Sequence, residues 1–291
     1  MESESLQSII EDLAKRGLAE DLGARDLTTD ALVPGDARGR AEVRVKGPGV
    51  IAGQAWVAEV LSQLGAEYDV LVPDGAAVSP GDVAGRAKGR LRALLHGERT
   101  ALNLLCRLSG IATLTRRFVE AAKGTKARIL DTRKTTPLYR ALEKYAVRAG
   151  GGENHRMGLS DQVLVKENHI AAARASGEAN SFAAAMRLLA QRVEPGVKVG
   201  IEVTNLSELH LALEAGPAYV LCDNFDVGTL RMAVKIRDGW PGEAKPGIEA
   251  SGGVTLANVA EVAATGVDRI SIGALTHSAP ALDLSMKIVA G

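Results

Sequence analysis

Cysteine is nearly missing from this chain, with two in 291 residues, Cys106 and Cys222, each in an apolar context. Two isolated thiols offer no disulfide framework and suit a reducing compartment. Aromatic residues are scarce at 3%, so Ala, Val, Leu and Ile must fill the core. Net charge is absent too, because 35 Lys and Arg balance 35 Asp and Glu. Without an overall positive field, nucleic acid and membrane surfaces are not expected partners, and any anion site must be a local cluster of cations. No stretch approaches the roughly 18 apolar residues of a membrane-crossing helix. The opening residues MESESLQ carry no signal-peptide pattern. The expectation is a soluble, cytoplasmic protein of one large or two medium domains.

The sequence begins with a helical pattern over 5–20, with Leu6, Ile9, Ile10 and Leu13 on one face. After a polar stretch from Asp21 to Asp30, short β-type runs such as Ala41–Val45 and Tyr68–Val72 alternate with Gly/Pro turns. A helix is expected between them from Ala55 to Leu64. A long amphipathic helix follows over Leu91–Ala122, striped by Leu91, Leu94, Leu95, Leu102, Leu105 and Leu108 and interrupted by Glu98 and Arg99.

Beyond it, strand and helix alternate. Apolar runs occur at Arg128–Leu130, Val163–Val165, Val199–Val203, Tyr219–Cys222, Ile248–Ala250 and Arg269–Ile272, and helical patterns at Pro137–Ala149, Phe182–Val193, Leu206–Ala215, Val227–Arg237 and Thr255–Ala263. Residues of about 174–182 read as a loop. Such alternation implies a parallel sheet with right-handed crossovers, and six units favour a barrel or partial barrel. The last stretch, Ala281–Ala290, is read as a helix packing back on the first domain.

Polar residues gather just past the end of strand after strand: Asp131 to Lys134, Lys166, Glu202, Asp223-Asn224, Ser251-Gly252-Gly253 and Gly273-Ala274. That face of a β/α barrel carries the active site. The glycine turns after the last two strands suit a phosphate, because backbone amides can approach it there. The alternative is an ordinary pair of glycine turns. Glu202 and Asp223 suit Mg²⁺ or a ribose diol; the alternative is two solvated acids. Lys134 or Lys166 would serve a Schiff-base mechanism, but Arg133, His155 and Arg156 make a cluster better suited to gripping carboxylates and phosphates.

The strings HGERTALN (96–103), DTRKTTP (131–137), EKYAVRAGGGENHRMGLSDQVLVKENH (143–169), IEV (201–203), CDN (222–224), EASGG (249–253) and ISIGALTHS (270–278) resemble the quinolinate phosphoribosyltransferase family. The likeness covers nearly the whole chain, more weakly at Asp26-Leu27-Thr28-Thr29, and departs at Leu138-Tyr139, where the family often has Gly-Leu. The resemblance implies an N-terminal α/β sandwich, residues 1–112 completed by 279–291, and an open β/α barrel over 113–278. It implies a homodimer, possibly assembled further, in which Arg99 enters the partner's site and Glu98 holds it. Arg133, His155, Arg156 and Lys166 would then bind the two carboxylates of quinolinate. Lys134, Glu202, Asp223, Ser251, Gly252, Gly253, Gly273, Ala274 and His277 would bind phosphoribosyl pyrophosphate (PRPP), with Mg²⁺ near Glu202 and Asp223, and Thr132 would also bind substrate. Lys134, Glu202 and Asp223 are the expected catalytic residues. The implied products are nicotinate mononucleotide, pyrophosphate and CO₂. The competing readings are a Schiff-base lyase of sugar phosphates and a phosphoribosyltransferase for another base.

Overall fold

The computed structural model describes residues 5–241 and 245–289. In chain order the first elements are α1 (Leu6–Leu22), α2 (Leu27–Leu32), β1 (Arg38–Val45), β2 (Gly49–Val50), α3 (Gln54–Gln63), β3 (Glu67–Val70), β4 (Ala77–Val78), β5 (Val83–Arg90) and α4 (Leu91–Ala121). They are followed by β6 (Arg128–Leu130), α5 (Arg140–Ala149), β7 (Val163–Val165), α6 (Glu167–Ala175), α7 (Phe182–Arg192), β8 (Val199–Val203), α8 (Leu206–Glu214) and β9 (Tyr219–Asp223). The chain closes with α9 (Val227–Gly239), β10 (Gly247–Ser251), α10 (Val259–Ala263), β11 (Arg269–Ser271), α11 (Ala274–His277) and β12 (Leu284–Val289). These elements group into two compact units, the described residues of Met1–Arg116, Thr135–Gly151 and Ala274–Gly291, and those of Arg117–Lys134 and Gly152–Gly273.

The first unit holds a sheet of order β12-β1-β5-β3, antiparallel throughout, and a small β2-β4 pair. In β1, Ala41, Val43 and Val45 are buried while Arg38, Arg40 and Arg44 are exposed, the two-residue period of a half-buried strand. The stripe on α4 is real: Leu94, Leu102, Leu105 and Leu108 are buried, each contributing roughly 1.5–3 kcal/mol of hydrophobic stabilisation. The expected C-terminal helix is instead β12, paired antiparallel with β1 from Arg40↔Val289 to Val45↔Leu284. The apolar residues Leu282, Leu284 and Met286 recur every second position, a strand period that helical spacing can mimic over so short a run. The end of that expected helix, Ala290, lies outside the described residues.

The second unit is built on six parallel strands in the order β6-β11-β10-β9-β8-β7. Strands β6 and β7 are its two edges, so the barrel is open. Tyr219 is accommodated inside by Gly200: a Cβ there would lie 2.3 Å from the Tyr219 ring. The helices are fixed at their starts by Ser181, Asn205 and Asp226, whose side chains accept the N–H groups of Ala184, Glu208 and Thr229. Three helices were not expected: α2 within the polar stretch, α6 directly after β7 and the short α11 after β11. In the first two, a capping residue outweighs a weak apolar pattern: Asp26 accepts from Thr28 and Thr29 N–H, and the His169 ring accepts the Lys166 N–H. The expected loop of about 174–182 narrows to the six residues between α6 and α7.

Candidate active site

Parallel strands end on one side, and the register places the expected residues there together. Ser251 pairs with Asp223, and Glu202 with Leu221 one step inside. Asp131, Lys166 and Gly273 follow the ends of β6, β7 and β11. Thus the residues Thr132 to Lys134, Lys166, Glu202, Asp223, Ser251 to Gly253 and Gly273 share one mouth of the second unit. Arg99, Ala274 and His277 belong to the first unit, where Arg99 and His277 are exposed. Glu98 makes no hydrogen bond or ion pair with Arg99 among the described residues, so it does not hold that arginine within this chain.

The floor of the mouth is a polar network. Asp131 is fully buried and accepts the His155 N–H at 2.8 Å and the Asn154 amide at 2.5 Å. The His155 Nδ1 accepts the Arg156 N–H at 2.9 Å, and its Nε2 faces Glu249 at 3.2 Å. Both ring nitrogens of His155 therefore have protein partners. Arg156 donates through Nη1 to the Gln162 carbonyl, yet its Nε and that of Arg133 are buried and bond to nothing. Burial, and next the positive charge of Arg133, hold Arg156 below the usual guanidinium value. Two neighbouring cations with unmet donors make a receptor for an anion, because a buried unmet donor costs about 1–3 kcal/mol.

On the other side of the mouth, Lys166 Nζ is bonded to the Glu202 carboxylate. Asp223 accepts from the Asn224 amide at 2.8 Å, and Asn224 has a positive φ of 56°. Gly252 and Gly253 have φ of 87° and 62°, and a Cβ on Gly252 would lie 2.2 Å from Asn224 Oδ1. Only glycine fits there. The N–H groups of Gly252, Gly253 and Val254 donate to no other described residue, which leaves a backbone cradle for an anion. The Thr132 hydroxyl accepts the Lys134 N–H at 3.0 Å, shaping the turn that presents exposed Lys134.

Sequence reasoning placed Asp131 on this face but missed the partners beneath these residues: Gln162, Tyr219, Glu249 and Arg269. Tyr219 accepts from Gln162 at 3.0 Å, and the Arg269 guanidinium lies 4.7 Å over its ring. The available signal was Glu249 itself, a carboxylate in the middle of the apolar strand β10.

For a metal, no group of three or more His, Cys, Asp and Glu side chains converges among the described residues. The donors present at the mouth are Glu202 and Asp223, and Glu202 is shared with Lys166. Such a set fits a hard cation that arrives with oxygen ligands of its own, not one enclosed by protein.

An open α/β barrel with paired cations and a glycine cradle at its mouth defines an enzyme for polyanionic substrates. The comparisons make this particular. The N-terminal domain of quinolinate phosphoribosyl transferase matches residues 26–109 and its C-terminal domain residues 111–287, and the chain belongs to that family. It is 43% identical over 285 residues to a probable nicotinate-nucleotide pyrophosphorylase [carboxylating] of Synechocystis, covering 97% of this chain and 93% of the relative. It is also 43% identical to the enzyme so named in Mycobacterium leprae, over 95% of this chain and 96% of the other. The solved nicotinate-nucleotide pyrophosphorylase of Francisella tularensis superposes with a TM-score of 0.86 at 36% identity, over 98% of each chain.

Proposed function

We infer that this chain is a carboxylating nicotinate-nucleotide pyrophosphorylase, joining quinolinate to the ribose of PRPP with release of pyrophosphate and CO₂ in the biosynthesis of NAD. The observation that carries the chemistry is the pair Arg133 and Arg156, each with a buried and unmet Nε. A dicarboxylate satisfies both, and Arg forks bind carboxylates in bidentate fashion. Lys166 completes that side when it leaves Glu202, while His155 stands behind Arg156 and fixes its backbone. Gly252 and Gly253 supply backbone donors for phosphate beside Ser251, with Lys134 as a cationic partner.

In the reaction, the bond between ribose C1 and pyrophosphate oxygen breaks and the quinolinate nitrogen forms the new bond to C1. Glu202 and Asp223 stabilise the positive charge that develops on the ribose. Lys134 faces the negative charge gathering on the pyrophosphate. The pyridinium then accepts the electron pair as the carbon–carboxylate bond breaks, and ring C2 takes up a proton. Mg²⁺, held with PRPP by Glu202 and Asp223, would lower the pyrophosphate charge when bound. The protein's main contribution is to hold a dianion beside a polyanion in fixed geometry.

The domain division at 112/113 and the cytoplasmic location belong to the same reading; among the described residues no helix is long and apolar enough to cross a membrane. Arg99, exposed on α4, serves the partner's site in a homodimer. Mixing Arg99→Ala with Arg133→Ala subunits is expected to restore activity through hybrid dimers; no recovery after exchange contradicts sharing. The chemistry is tested by offering PRPP with quinolinate or nicotinate. Pyrophosphate release with quinolinate alone supports this reading, equal release with nicotinate favours a different base, and borohydride trapping of substrate on lysine favours the lyase.

A further inference from the structure

Glu249 is a fully buried carboxylate of the second unit. Its side chain is fully buried at the centre of β10, and neither carboxylate oxygen has an aligned hydrogen-bond donor. A bare carboxylate is costly to bury unless opposite charge stands close. The groups facing it are His155 Nε2 at 3.2 Å, Arg269 Nη1 at 3.6 Å from β11, and Tyr219 and Cys222 from β9. Its charge is felt by both β9 neighbours. Burial first, and Glu249 second, push the Cys222 thiol up to about 12 and the Tyr219 hydroxyl upward.

The histidine links this buried charge to the mouth. Because Nδ1 accepts the Arg156 N–H at 2.9 Å, it carries no proton, so the ring proton resides on Nε2, which lies 3.2 Å from the Glu249 carboxylate and 3.5 Å from the Tyr219 hydroxyl. Reversing the tautomer would set an N–H of the ring against an N–H of the backbone. It would also set a lone pair against the carboxylate. Each contact therefore enforces the other, and Arg156 is the residue at the end of the chain.

We propose that Glu249 is a positioning residue for dicarboxylate binding, acting through the Nε2–H tautomer of His155 on the backbone of Arg156. Arg269 stands 3.6 Å from Glu249 on one side, and Glu249 faces His155 on the other. His155 anchors Arg156, whose guanidinium stands near Arg133 against mutual repulsion. Without the anchor, that repulsion moves the Arg156 side chain away and the two forks no longer face one dianion. The proposal rests on the reading of Arg133 and Arg156 as the quinolinate grip.

The test is Glu249→Gln, which keeps the size and removes the charge. The expected result is a KM for quinolinate raised about tenfold, with kcat and the KM for PRPP within about threefold of wild type. In ¹⁵N NMR of the histidine rings, wild-type His155 should show the Nε2–H tautomer and the variant a mixture. If KM for quinolinate is unchanged, or if kcat falls and both KM values rise together, the proposal is overturned. His155→Asn supplies a second route, because its amide oxygen can take the Arg156 N–H. It should retain quinolinate affinity better than His155→Ala, and equal losses in the two would refute the anchor even if Glu249→Gln fails to fold. A wild-type protein inactive with quinolinate, with the tautomer change still seen between it and Glu249→Gln, would fault the functional reading and leave the Glu249–His155 link standing.

Discussion

Glu143 and Glu249 are both carboxylates shut away from water, one in each compact unit, and they are satisfied in opposite ways. Glu143 in α5 is 1% exposed and accepts from Arg107 Nε and Nη2, from the Thr136 hydroxyl and from the Thr136 N–H. Arg107 in turn donates to the carbonyls of Thr276 and Ala279, so this pair ties α4, α5 and the segment after α11 together. Glu249 has no aligned donor, only the His155 ring nitrogen at 3.2 Å and the Arg269 guanidinium at 3.6 Å. A carboxylate with all its donors in place stabilises structure; one left short of donors shapes the groups around it. The difference separates a structural ion pair from one connected to a binding site.

Removing one side of the complete network should have the largest effect. Glu143→Ala leaves Arg107 unpaired and is expected to cost roughly 3–5 kcal/mol of stability, read from the denaturation midpoint. A small shift would break the contrast with Glu249. Arg156→Ala should instead spare stability and cost roughly 3–5 kcal/mol of transition-state binding, seen in kcat/KM for quinolinate. Near-normal turnover would sink its assignment to the dicarboxylate.

Smaller effects sharpen the picture. Gly252→Ala has to place a Cβ 2.2 Å from Asn224 Oδ1 at a φ of 87°, which costs about 1–3 kcal/mol. The loss should fall on KM for PRPP and leave quinolinate binding intact. Leu138 holds a positive φ of 69° and is 65% exposed, at the very position where the family often has glycine. Leu138→Gly is expected to gain about 1 kcal/mol of stability by relieving left-handed strain, measured in urea. Asp268 should give the mildest, pH-dependent effect. Burial alone would raise its pKa, but hydrogen bonds from Lys126, the Ile248 N–H and Arg237 hold it below the ordinary 3.8. A lowered pKa contributes stability above the unfolded value and loses it as pH falls through the folded one. Asp268→Asn should thus be less stable than wild type at neutral pH, with the gap closing in acid below about 3.9.

Much of this was legible in the sequence, because the signals were local and repeated. Strand after strand ended in polar residues, and the parallel register gathers Glu202, Asp223 and Ser251 as that pattern required. What stayed hidden depends on pairing between distant segments. The sequence around Leu284 and Met286 suits a helix until β1 offers an unpaired edge. Lys166 and Glu202 read as ligands of different substrates, and only folding shows them bonded to each other. The family resemblance implied a carboxylate-binding role for His155. Its engagement with Glu249, nearly a hundred positions later, has no local trace.

The most direct test of the account is stoichiometry with quinolinate labelled in the 2-carboxylate, PRPP and Mg²⁺. The account predicts CO₂, pyrophosphate and nicotinate mononucleotide in equal amounts, all abolished when either substrate is omitted. Pyrophosphate formed without matching labelled CO₂, or CO₂ formed without PRPP, would contradict it.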